Sequence, residues 1–111
     1  MEKKATVKPA TTRKSRNART VIVTSQWRDL YYGEITATDE EIIRDHAVRV
    51  SRCRHIAYWK GPTGGLTSLA VSGPGPGSRI GAPCPSMLVG GVAHVLDVAT
   101  EAQARFAAIL P

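Results

Sequence analysis

The sequence contains little of what usually identifies a function. Two cysteines, Cys53 and Cys84, occur among 111 residues, too few for a disulfide framework, so we expect free thiols. No apolar run approaches the roughly 18 residues that a membrane span needs. Aromatic residues make up only 5% of the chain, and no motif identifies an enzyme. These shortages argue against a disulfide-rich scaffold and a membrane-spanning helix, and we expect no enzymatic activity, no cofactor and no membrane partner.

Acidic residues are scarce in the first twenty positions, which carry all of the net charge. Seven of the 15 basic residues lie there against a single acid, Glu2, whereas the remainder has eight residues of each sign. We therefore predict a basic N-terminal arm over residues 1–19 and one small domain over residues 20–111. A polybasic arm is attracted to anionic partners, above all nucleic acid. The predicted anion-binding residues of the arm are Lys3, Lys4, Lys8, Arg13, Lys14, Arg16 and Arg19.

The arm is too polar to fold alone. Apart from Met1 at the very start, Val7 is the only sizeable apolar side chain in its first 18 residues, so burial cannot offset the entropy lost on ordering. We expect the arm to be disordered unless a partner or a neighbouring subunit orders it.

The rest of the chain predicts a mainly β fold. A capping box at Thr38 and Glu41 predicts a short helix over 39–46. A similar pattern at Thr100 and Gln103 predicts a closing helix that buries Ala102, Phe106 and Ile109. Gly33 is expected at a bulge or sharp bend. Short strands are predicted at 20–24, 30–37, 48–51, 54–59 and 92–98. Their close spacing favours a small antiparallel, SH3-like β-barrel of about five strands with an inserted helix and a C-terminal helix.

The densest group of basic and aromatic residues lies at positions 52–60. Such interleaving suits a nucleotide or single-stranded nucleic acid, because cations contact phosphates while rings stack on bases. Strand alternation, however, divides these residues between two faces, which favours core or interface positions for the aromatic ones. We assign Arg52, Arg54 and Lys60 to the anion-binding set, and Ile56, Tyr58 and Trp59 to a core or subunit interface. Cys53, His55, Cys84 and His94 lack the paired spacing of a metal site, so we expect no bound metal.

The segment from Val48 to Gly61 resembles a family of short, uncharacterised phage and prophage proteins with an A-R-R-I-W-Y-W-x-G type core motif. Further similarities lie at 66–70, 83–85 and 100–104, and the resemblance covers about residues 20–106. The matching core residues are Arg54, Ile56, Tyr58, Trp59 and Gly61, whereas Cys53, His55 and Ala57 depart from the motif. The resemblance implies a phage origin and no particular activity.

Three functions agree with these observations. The first is a non-catalytic binding module whose basic arm engages nucleic acid. The second is a virion or assembly protein whose arm is ordered by neighbouring subunits. The third is an oligomeric trap for a small anionic nucleotide, which would act against a host defence. We expect a homo-oligomer in each case, located in the host cytoplasm or, for a structural role, in the virion.

Overall fold

The computed structural model describes residues 18–60 and 65–111, so the predicted arm cations from Lys3 to Arg16 lie outside the described residues. The predicted mainly β, antiparallel fold with an inserted and a closing helix is confirmed. In chain order the elements are β1 (Arg19–Ser25), β2 (Leu30–Ile35), α1 (Asp39–Asp45), β3 (Ala47–Tyr58), α2 (Gly65–Ser72), β4 (Arg79–Ile80), β5 (Cys84–Gly90), β6 (Val92–Asp97) and α3 (Thr100–Ala108).

The six strands form one antiparallel sheet. Its path runs β4-β3-β2-β1-β6, and β5 also pairs with β3. Strand β5 pairs with β3 and strand β6 pairs with β1, yet only Gly91 separates β5 from β6 along the chain. The sheet therefore curls so that these two strands meet at Gly91. The Val92 N–H donates to the His46 carbonyl across 3.1 Å. No strand ladder joins β5 to β6 in the described part of the chain. The predicted small β fold is therefore present as a curled sheet that stays open, not as a closed barrel.

One long strand, β3, replaces the two strands predicted at 48–51 and 54–59. Its register against β2 shifts opposite Gly33, between the pairs Tyr32–Arg54 and Glu34–Ser51. Arg52 has a left-handed φ of 54° at this point. Two steps along β2 thus correspond to three steps along β3, so β3 holds one extra residue, which bends the strand without ending it. The irregularity expected at Gly33 is confirmed.

The core lies on both faces of the sheet. In β1, Val21 and Val23 belong to the first hydrophobic cluster, while Ile22 belongs to the second. The first cluster also holds Ile42 of α1, and the second is covered by α2 and α3. The expected buried face of the closing helix is confirmed for Ala102 and Phe106, which are fully buried, whereas Ile109 follows the end of the helix and packs, partly buried, against the same cluster. The Phe106 ring stacks on Tyr32 with centroids 3.9 Å apart.

The two predicted capping boxes have different outcomes. In α1, the Glu41 N–H donates to Thr38 Oγ1 at 3.2 Å and the Thr38 N–H donates to Glu41 Oε1 at 2.8 Å, as predicted. In α3, the N-cap is Ala99, and no side chain caps the helix. The prediction of a second capping box was wrong, because Thr100 is already helical and its hydroxyl is therefore not at the N-cap position.

Candidate functional site

A shallow groove of about 520 Å³ lies where β3 meets β4. Tyr58 and Arg79 are direct cross-strand partners in this ladder, so their side chains originate side by side. Tyr58 is 49% exposed, and its ring offers a flat surface to solvent. The residues that line the groove are Ala57, Tyr58, Lys60, Gly77 and Arg79.

The loop before β4 holds Lys60 in the groove. The Lys60 N–H donates to Ser78 Oγ at 2.9 Å, and that hydroxyl donates to the Gly75 carbonyl at 2.8 Å. Gly77 has a φ of +92°, and a Cβ there would lie 3.4 Å from Lys60 Cδ. The positive φ favours glycine at position 77, where even a Cβ would be in ordinary contact with the Lys60 stem, and the loop fixes the Lys60 backbone through Ser78.

The groove has a net positive charge. It contains one ammonium group and one guanidinium group, and no carboxylate is found among the described residues that line it. A phosphate ester would receive charge-assisted hydrogen bonds from such a pair, and a nucleobase could stack on the Tyr58 ring. Lys60 and Tyr58 were both singled out from the sequence, whereas Arg79 was missed because it follows a glycine-rich loop nineteen positions further along.

Arg54 takes a structural position, although the sequence suggested anion binding. Its side chain is 8% exposed and donates to four backbone carbonyls. Nε reaches Gly81 at 2.7 Å, and Nη1 reaches Phe106 at 2.8 Å. Nη2 reaches Ile109 at 2.7 Å and Ile80 at 3.4 Å. The guanidinium group thus links the C-terminal end of α3 to the backbone of Ile80 and Gly81 at β4. Few of its N–H groups remain free to bind a ligand.

Arg52 and Arg19 also lie away from the groove. Arg52 is exposed and borders a separate cavity of about 440 Å³, whose wall also includes Glu34 and the backbone-bonded Arg54. Arg19 lies in β1 and forms ion pairs with Asp39 at 2.5 Å and Asp97 at 3.2 Å. The hydrogen bond to Asp39 raises the pKa of Arg19. Of the predicted cations within the described residues, only Lys60 lines the basic groove.

The three residues assigned to a core or interface have different environments. Ile56 is 4% exposed and belongs to the second cluster. Trp59 is partly buried and packs against the same cluster. Tyr58, half exposed, belongs instead to the groove.

The histidines and cysteines considered for a metal site do not gather at one place. His94 Nδ1 lies 3.1 Å from Thr24 Oγ1 on the β1–β6 side of the sheet, whereas the His55 ring contacts Tyr31. Within residues 18–60 and 65–111, no group of three or more His, Cys, Asp or Glu side chains could hold a metal ion. None of the helices in these ranges is long and apolar enough to cross a membrane.

Comparison with known proteins identifies a family for this chain. No curated protein and no solved structure matches the chain. The model of the family described as a domain of unknown function (DUF6948) matches residues 18–106. This range includes every strand, α1, α2 and all five residues that line the basic groove. Because the match spans well over half of the sequence, the chain belongs to the DUF6948 family.

Proposed function

We propose that this protein is a non-catalytic binding module for a phosphate-bearing nucleotide, held in the basic groove. The observation that carries the proposal is the composition of that groove: Lys60 and Arg79 flank the exposed ring of Tyr58, and the described lining residues include no carboxylate. Phosphate and base would be bound by different members of this set, the phosphate by the two cations and the base by the ring.

The size of the groove and the charge of the domain favour a small nucleotide. A volume of about 520 Å³ is within the range of small-molecule sites. A long single strand would need a basic track along several phosphates, yet beyond residue 20 the chain has equal numbers of acidic and basic residues. The groove is thus a local basic site on a neutral domain.

The lining residues also favour binding over catalysis. Ala57, Gly77 and Tyr58 with two cations provide no nucleophile paired with a general base. Stoichiometric capture needs no such pair. The resemblance to phage proteins supports the corresponding setting, namely sequestration of a host nucleotide by an oligomer in the infected cell's cytoplasm.

The proposal predicts that single changes in the groove weaken nucleotide binding. Lys60→Gln or Arg79→Gln should reduce affinity for adenosine diphosphate about tenfold, because each change removes one charged hydrogen bond to phosphate. Tyr58→Ala should have a similar effect through lost stacking. Isothermal titration calorimetry of the full chain measures these affinities, with a panel of nucleoside mono- and diphosphates and with adenosine as the uncharged comparison.

The matched control is Arg49→Gln. Arg49 is an exposed cation in β3, but it donates to Ser86 Oγ at 3.0 Å and lies outside the groove. The Arg49→Gln variant should bind adenosine diphosphate with the same affinity as the unaltered protein. The proposal fails if no nucleoside phosphate binds, or if Arg49→Gln and Lys60→Gln weaken binding equally.

The charge of the arm favours a second candidate, binding of nucleic acid. Deleting residues 2–18 removes all six lysine and arginine residues that precede Arg19, and β1 begins after the deletion. We expect the truncated protein to bind oligothymidylate more weakly and with a flatter salt dependence, because fewer counterions are released. Fluorescence anisotropy over a salt series measures both quantities. Equal affinity of the two proteins at the same salt concentration would contradict this role.

A further inference from the structure

Cys53 and Cys84 occupy directly opposite positions in the antiparallel ladder of β3 and β5. Opposite residues in such a ladder have Cα atoms about 4.5 or 5.5 Å apart, and both separations lie in the range of about 4.4–6.8 Å that disulfides require. Both thiols are free in the structure. Nothing in the sequence places these cysteines together, and the pairing of β3 with β5 brings two residues 31 positions apart to opposite ladder positions.

The two thiols differ in their surroundings. Cys53 is 2% exposed and belongs to the first hydrophobic cluster, and its Sγ lies 4.0 Å from Met87 Sδ. Cys84 is partly exposed on β5, and its thiol contacts the Ser86 carbonyl at 3.7 Å. Burial, together with the neighbouring Cys84 thiol, raises the pKa of Cys53 to about 11. Cys84 is therefore the accessible member of a close pair, and Cys53 the protected one.

We propose that Cys53 and Cys84 form a reversible cross-strand disulfide by exchange with a low-molecular-weight disulfide such as oxidised glutathione. The Cys84 thiolate attacks one glutathione sulfur, forms a mixed disulfide and releases the first glutathione, which takes a proton. The Cys53 thiol then loses its proton and attacks the Cys84 sulfur, and the second glutathione leaves. Two protein thiols are oxidised to one disulfide while one glutathione disulfide is reduced to two thiols.

The order of attack follows from the surroundings of the thiols. An incoming disulfide can reach partly exposed Cys84, whereas the core covers Cys53. Once Cys84 carries glutathione, Cys53 is already at the opposite ladder position and needs no strand movement of its own. The product would join the outer strand β5 covalently to β3, and so fix an edge of the sheet that is otherwise held by one ladder of hydrogen bonds.

The test incubates the full chain with oxidised glutathione under native conditions and then measures intact mass and accessible thiols. We expect a loss of two hydrogens, a fall from two titratable thiols to none in denaturant, and a Cys53–Cys84 cross-linked peptide. Added dithiothreitol should restore both thiols.

Single variants assign the steps. Cys53→Ala should stop at one bound glutathione on Cys84, whereas Cys84→Ala should remain unmodified while folded. The result for the unaltered protein decides the proposal even if Cys53→Ala does not fold. Two free thiols after oxidation, a stable glutathione adduct without the internal bond, or a bond that forms only in denaturant would overturn it.

Discussion

Arg54→Met is expected to lower the free energy of unfolding by about 4 kcal/mol, because four backbone carbonyls lose a charged donor. Two of these carbonyls, on Phe106 and Ile109, lie at the C-terminal end of α3. The Phe106 carbonyl also accepts from the Ile109 N–H at 3.2 Å, but carbonyls at the C-terminal end of a helix carry the negative end of its dipole, so a cation there is favourable. Methionine is long enough to fill the space but donates nothing. Such a loss is a large part of the roughly 5–15 kcal/mol that stabilises a typical domain.

Urea denaturation followed by circular dichroism measures the change. Arg54→Lys should recover only a small part of the loss, because one ammonium group cannot reach carbonyls on two sides as the planar guanidinium does. The matched control is Arg52→Met, two positions away on the same strand and exposed, which should change stability little. If Arg54→Met and Arg52→Met have the same denaturation midpoint, the structural role of Arg54 is wrong.

Gly33→Ala is expected to cost about 3 kcal/mol of unfolding free energy, since the added methyl group has no space. A Cβ at Gly33 would lie 2.5 Å from Val50 Cγ1 and 2.7 Å from the Ser51 carbonyl oxygen. The carbonyl belongs to the backbone of β3 at its bulge, so relief requires the strand to move. Movement there would also disturb the packing of Val50, which is fully buried.

The control for this prediction is Gly90→Ala. Gly90 is also a strand glycine, but a Cβ there meets no atom within 4 Å. We therefore expect its thermal midpoint to stay close to that of the unaltered protein, while the midpoint of Gly33→Ala falls by roughly 12–24 °C. Equal midpoints for the two variants would show that β3 accommodates a side chain at the bulge.

Two arginines on neighbouring strands, Arg54 in β3 and Arg79 in β4, are expected to have different roles. Replacement of Arg54 should mainly lower the free energy of unfolding, because its N–H groups donate to backbone carbonyls. Arg79 is exposed and lines the basic groove, so its replacement should affect ligand binding with little change in stability. Measuring both properties on both variants therefore tests the division between scaffold and groove.

Local signals in the sequence were sufficient where a few neighbouring residues decide the structure. The α1 capping box needs only Thr38, Glu41 and the turn between them, and the β-branched run of β1 predicted its strand. The buried face of α3 followed from the spacing of Ala102 and Phe106 along one helix. Each of these features depends on contacts within about four residues, so the order of residue types contains the necessary information.

Tertiary pairing decided the rest. Whether Arg54 binds a ligand or the backbone depends on α3, more than fifty positions away. The basic groove depends on the pairing of Tyr58 with Arg79, and the thiol pair on that of Cys53 with Cys84. The sequence predicted separate strands at 48–51 and 54–59, whereas a bulge opposite Gly33 lets the single strand β3 run through both segments. The sequence alone determined the concentration of charge in the first twenty positions, the mainly β composition and the α1 capping box. Strand register determined which side chains meet, because register is a property of two distant segments and is set by the core that they bury together.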